Sequence, residues 1–136
     1  MAFASRSTSM VMQHDEDPAK VIRKAVGDLS KFRLMGNQVL VGIYLRPEKT
    51  KANIILPDTV RGEDAHQGKA GLVLLKGQKA FVSDSNYDFG SDDVSVGDWV
   101  AVFVSDGRKI VVNGALCRII EDTHIRLKLP SPDCVY

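Results

Sequence analysis

The run Gln38-Val39-Leu40-Val41-Gly42-Ile43-Tyr44-Leu45 decides the fold class. In an extended chain Val39, Val41, Ile43 and Leu45 point to one side, and Leu40, Gly42 and Tyr44 to the other. That period of two defines a β-strand. Both sides are apolar, so the strand is either central in a sheet or covered by another chain. Pro47, which has no N–H to give to a ladder, ends it.

Toward the C-terminus the same period returns in short pieces. Gly71 to Lys76 reads as a second strand, stopped by Gly77. Val94-Ser95-Val96-Gly97-Asp98 leads into Trp99–Val104, an apolar run of strand length. Asp106-Gly107 turns the chain and residues 109–112 bring it back. Asn113-Gly114 is the strongest short hairpin signal, because a type I′ turn needs positive φ at both central residues. Residues 115–120 follow as the partner strand. Residues 121–124 read as a helical turn, and Ile125, Leu127 and Leu129 alternate with Arg126 and Lys128 in a last strand before Pro130 and Pro132. Short strands punctuated by glycine turns predict an all-β domain, a small barrel or sandwich.

Toward the N-terminus the pattern changes. Residues 1–16 have no periodicity and read as an arm. Asp17-Pro18 predicts a helix start, with Asp as N-cap and Pro where a missing N–H costs nothing. Val21, Ile22, Ala25, Val26 and Leu29 make one apolar stripe, and Gly27 offers a stop. So short a helix must dock on something to persist.

Composition excludes several classes. The chain has 136 residues, room for one domain with modest extensions, and 44% are apolar. Aromatics are 7% with one Trp, so the core is mainly aliphatic. Lys and Arg total 18 against 17 Asp and Glu, which argues against nucleic acid and against an electrostatic membrane partner. No apolar run approaches the ~18 residues of a membrane span. The Ser-rich start lacks the repeated arginines of a transit peptide and runs into His14-Asp15-Glu16-Asp17. The two cysteines, Cys117 and Cys134, have no metal-ligand spacing and are too few for a disulfide framework, which predicts a reducing compartment.

Nothing predicts an enzyme. His14, His66 and His124 lie apart in the sequence, none beside a nucleophile motif or at i,i+4 with another ligand. The run Asp84 to Asp92 imitates a calcium loop, but its glycine falls one place late and position twelve is Ser95 rather than Glu. No glycine-rich cradle joins a strand to a helix, so no nucleotide is expected. The expectation is no catalytic residue, no metal and no cofactor.

The anomaly lies in residues 46–71, a polar stretch several times longer than the ~5 residues typical of a strand connection. Ile54-Ile55-Leu56 sits in its middle. Burying three such side chains is worth roughly 5–8 kcal/mol gross, less the cost of ordering the segment. The triplet is therefore either a docking tip for a partner or an ordinary buried strand, and periodicity alone leaves both open.

Residues 38–129 resemble the GroES-type co-chaperonins. Gln38-Val39-Leu40-Val41 is similar to that family's opening strand, and Ile54-Ile55-Leu56-Pro57-Asp58 to its mobile-loop tip. Gly71 to Gly77 resembles the strand after the loop, Val94 to Val100 its strand entry, and Glu121 to Leu129 its closing turn and strand. The resemblance implies a small irregular GroES-like β-barrel over 36–130, with a mobile loop at 46–70 and a roof-like hairpin at 78–93. The arm and helix of residues 1–35 and the tail of 131–136 flank it. It also implies a homo-oligomeric ring, a heptamer by analogy, whose neighbours pair first strand with last. Val39, Leu40, Val41, Ile125, Leu127 and Leu129 would then face the subunit interface, and Ile54, Ile55 and Leu56 would bind a GroEL-type chaperonin ring. Ala52-Asn53 replaces the family's usual glycines before the triplet, and the family has no counterpart of residues 1–35.

Two functions follow as expectations. The first is a cytoplasmic co-chaperonin lid that caps an ATP-bound ring and assists protein folding. The second is a structural protein of a larger assembly, such as a virion decoration or stabilising protein that laces copies together with its arm. A shared fold does not choose between them.

Overall fold

The computed structural model describes Met12, residues 14–46 and residues 69–135. Ile54, Ile55 and Leu56 lie outside the described residues, as does most of the connection that carries them.

Six strands form one antiparallel sheet: β1 (Gln38–Ile43), β2 (Ala70–Lys76), β3 (Trp99–Ala101), β4 (Arg108–Val112), β5 (Ala115–Glu121) and β6 (Lys128–Leu129). Their order across the sheet is β4-β5-β1-β2-β3-β6. Among the described residues one helix, α1 (Pro18–Val26), and two 3-10 turns, Asp122–His124 and Pro132–Val135, complete the elements. The mainly-β class expected from the sequence is what is observed. Among the described residues no ladder joins the edge strands β4 and β6.

β1 owes its two apolar sides to a central place. Val41 pairs with Val73 of β2 on one edge and with Arg118 of β5 on the other. The place of Val39, Leu40 and Val41, expected at a subunit interface, is the interior of the sheet of their own chain. Both hydrogen-bonding edges of β1 are used within the subunit, and the three side chains are 0%, 3% and 0% exposed. Val39, Val41 and Ile43 build one core with Val73, Val100 and Ile120. Leu40, on the opposite face, joins Leu72, Leu74 and Cys117. The register slips where Leu40 faces Leu75 but Val41 faces Val73, leaving Leu74 as a bulge.

α1 covers the second face. Asp17 caps it, its carboxylate accepting from the Ala19 N–H at 3.3 Å, with Pro18 in the first turn. Gly27 ends it at φ 68°, donating to the Arg23 carbonyl. Ile22 and Val26 are buried against Leu40, Leu72 and Leu74, worth about 1.5–3 kcal/mol each before entropy. Gly42 makes that approach possible, because a Cβ there would run into Ile22 Cγ2. At the helix's other end the β4–β5 turn closes the contact. Asn113 and Gly114 have φ 51° and 86°, and the Asn113 amide donates to the Val26 carbonyl at 2.6 Å. One residue shapes the hairpin and satisfies an orphan carbonyl of α1.

The segment between β3 and β4 crosses the first core and is held by a buried cation. Arg118 Nη1 donates to the carbonyls of Phe103, Val104 and Asp106 at 3.2, 3.0 and 2.8 Å. Burial pulls the guanidinium pKa down, and the nearby Asp106 charge opposes that. Arg126, from the other side, reaches Asp106 Oδ2 at 3.4 Å.

Two further expectations are corrected. Residues 78–93 form turns rather than a hairpin ladder. Asp84 Oδ1 accepts from the N–H groups of Asn86 and Tyr87, and Asp88 Oδ1 from that of Gly90. Such local side-chain bonds compete with strand pairing. They also occupy oxygens that a calcium loop would offer. The last strand shrinks to Lys128–Leu129: Ile125 is half-buried on the first core and Leu127 is exposed. The helical turn expected at 121–124 is present as the 3-10 turn Asp122–His124.

Candidate functional site

The residues singled out for partner binding are outside the described set, but the roots of their connection are within it. β1 and β2 are adjacent, and the ladder continues past β1 as the Tyr44 N–H donates to the Ala70 carbonyl at 2.9 Å. The Val102 N–H donates to the Lys69 carbonyl at 2.8 Å. The two ends of the connection thus start from one rigid end of the sheet.

Other parts of the chain converge there. The start of α1, the start of β5 and the end of β1 enclose a cleft of about 590 Å³, within the range of small ligand sites. Val21, Ile22, Leu45 and Leu116 supply its apolar lining, and His14 and Glu16 stand among its polar residues. Val21 and Ala25, expected inside the helix stripe, line this cleft instead of the core.

In the wall of the cleft, Tyr44 is 2% exposed, and its ring meets Trp99 edge-on with centroids 5.9 Å apart. Its hydroxyl donates to Asp133 Oδ1 at 2.7 Å and lies 2.6 Å from His14 Nε2. A hydroxyl has one proton. With that proton on the Asp133 bond, His14 Nε2 is the donor to the Tyr44 oxygen. Asp133 Oδ2 also accepts from the Met12 N–H at 3.4 Å. Three segments remote in sequence meet at one phenol: the approach to α1, the end of β1 and the C-terminal turn. Sequence reasoning missed Asp133, which no local pattern marks. Tyr44 was visible only as a hydroxyl ending an apolar strand.

His124 does not join this group. His66 lies outside the described residues, and His124 Nε2 sits 3.9 Å from Glu121. Among the described residues no cluster of three or more His, Cys, Asp or Glu could hold a metal ion. No helix among them is long and apolar enough to cross a membrane. Of the residues expected at a subunit interface, Leu127 is exposed and Leu129 is buried with Tyr44, Ala70 and Ala101.

The motif Val94 to Asp98 has a structural reason. Asp98 Oδ2 accepts from the Ser95 N–H at 2.8 Å, which holds its carboxyl below the usual range, with Lys128 adding to the effect against burial. Gly97, at φ 99°, completes the turn that delivers Trp99 to β3. A second carboxylate, Asp122, is 3% exposed and accepts from Asn37 Nδ2 and the Phe81 N–H. The latter bond helps hold Phe81 at φ 62°, an uncommon conformation for a bulky residue. No family model matches the chain, and no curated protein is recognisably similar to it in sequence.

Proposed function

We propose that this chain is a co-chaperonin-type lid subunit with a GroES-like, barrel-derived fold. It assembles into a ring of identical copies and caps an ATP-bound GroEL-type chaperonin. The observation that carries the reading is the placement of the long connection. β1 and β2 are antiparallel neighbours that two residues could join, yet the chain spends residues 44–69 between them. Both roots are fixed at one end of the sheet, and Ile54, Ile55 and Leu56 lie between them. A ring presenting one such segment per copy would convert weak contacts into strong avidity. The ATP chemistry belongs to the partner, and the lid works in the cytoplasm.

Among the described strands, the edges left for association of copies are β4 and β6, since β1 is paired on both sides. Leu127 stands exposed just before β6.

A second reading, a structural protein of a virion or similar assembly, is favoured by one feature. The root of the N-terminal arm is anchored, with Met12 fully buried and tied to Asp133. An anchored root suits an arm that laces copies together.

Co-sedimentation with a GroEL-type ring and ATP, with the ATPase rate measured alongside, separates the readings. The lid should bind, and Ile55→Asp should abolish binding. Binding indifferent to that substitution would remove the triplet from the mechanism. Absence of binding by the unaltered chain would favour the structural reading.

A further inference from the structure

We infer that Met12 and residues 14–16 act as a strap, fastened at Tyr44 and Asp133, whose release opens the apolar cleft between α1 and the sheet. The inference stands whether or not the chain is a lid.

The strap lies between a buried anchor and a capped helix. At its leading end, Met12 is 0% exposed and its N–H donates to Asp133 Oδ2. Behind it, Asp17 caps α1, and Glu16 reaches forward to Lys24 Nζ at 2.9 Å. Between these points His14, Asp15 and Glu16 line the cleft whose apolar lining includes Val21, Ile22, Leu45 and Leu116.

The fastening is polar and compact, and its side-chain bonds run between Tyr44, His14 and Asp133. The His14 side chain is 22% exposed and that of Asp133 14%, so water competes weakly for the bonds through Tyr44. Asp133 belongs to a short 3-10 turn that shares a small cluster with Tyr44 and Leu129 through Val135. That cluster shares no residue with the first core and meets the helix-covered core through Trp99. Breaking the Tyr44 bridge therefore loosens strap and turn together without unpacking the sheet. Local opening of this kind is the low-energy end of a protein's fluctuations. Tyr44 is also the first residue after β1, so the strap is fastened at the root of the long connection.

Tyr44→Phe tests this, since it keeps the ring on Trp99 and removes only the hydroxyl. Two readouts report the strap: hydrogen exchange of the Met12 amide, and the paramagnetic relaxation of the Met12 methyl by a soluble probe. A third, the fluorescence of an added anilinonaphthalene dye, reports the cleft. Loss of a hydrogen bond to a charged group should speed Met12 exchange about tenfold. The methyl should become accessible and dye emission should rise, while the amides of Val39 and Val41 keep their protection. Unchanged Met12 exchange would overturn the strap. Faster exchange without a rise in dye emission would overturn its hold on the cleft. If Tyr44→Phe lowers protection throughout the sheet, His14→Ala decides by the same three readouts, since that side chain lies outside the cores.

Discussion

Cys117 shows what position does to an ordinary side chain. It faces the helix-covered core and is fully buried, and that burial pushes its thiol up to about 11, against a smaller opposing effect of a hydrogen bond with the Val112 backbone. A thiol attacks as the thiolate, so Cys117 should be inert in the folded protein. Cys134, exposed in the C-terminal turn, should react with an aromatic disulfide reagent at pH 8 at once. Cys117 should react only in denaturant. The same shift has a stability consequence. The unfolded thiol loses its proton near 9.0, the folded one near 11, so the unfolded state binds fewer protons in that window. Stability therefore falls between about pH 9 and 11, by about 1–3 kcal/mol from this group, and is unaffected by it below pH 9. Urea melts of the unaltered chain and of Cys117→Ala across that range should differ in slope by this amount. Parallel curves would show that the buried thiol does not titrate as its surroundings require.

The elements show why some local patterns could be read and others could not. β1, β2 and the β4–β5 hairpin were legible because each announces itself in adjacent residues: a two-period apolar run, or Asn113-Gly114. The start and stop of α1 were legible for the same reason, in Asp17-Pro18 and Gly27. The central place of β1 was not fixed by its sequence, because two apolar sides fit an internal strand or a covered edge equally. Only its pairing with both β2 and β5 decides. Residues 78–93 misled because their aspartates satisfy the backbone locally, a choice that period does not record. The Tyr44–Asp133 bond was invisible because its partners stand 89 positions apart. Asn113 joins both kinds of information, since its turn role is local and its bond to Val26 is not. Replacing it with glycine separates them. Asn113→Gly keeps a turn of positive φ and removes the donor to the Val26 carbonyl, so it should cost about 1 kcal/mol. The loss should appear in chemical denaturation and as faster amide exchange in the last turn of α1. No loss would mean that water serves that carbonyl as well as Asn113 does.

At the scale of the whole molecule the N-terminal region is part of the fold rather than an appendage. α1 lies on its own sheet, and Ile22 and Val26 shield Leu40, Leu72, Leu74 and Cys117. Removing residues 1–30 would strip that face. The two buried helix residues alone represent about 3–6 kcal/mol of gross burial, comparable to the net stability of a typical domain. Such a truncation should unfold or aggregate, and a lost function would then say nothing about the arm. A cut that removes residues 1–10 and leaves Val11 keeps the Met12 N–H as an amide for Asp133, and with it the strap and the helix. That variant should melt within a few degrees of the full chain, because the Met12–Asp133 bond and the packing of Ile22 and Val26 on the sheet are made by residues it keeps. It then isolates the arm's own role. A lid needs its connection at 44–69 and not its arm, so the shortened chain should still bind a GroEL-type ring with ATP, with unchanged sensitivity to Ile55→Asp. A laced assembly needs the arm, so there the shortened chain would fold normally yet fail to build particles that the full chain builds. Retained capping by a stable, armless chain is the outcome expected here. Loss of capping with the fold intact would shift the weight of function from the long connection to the N-terminus.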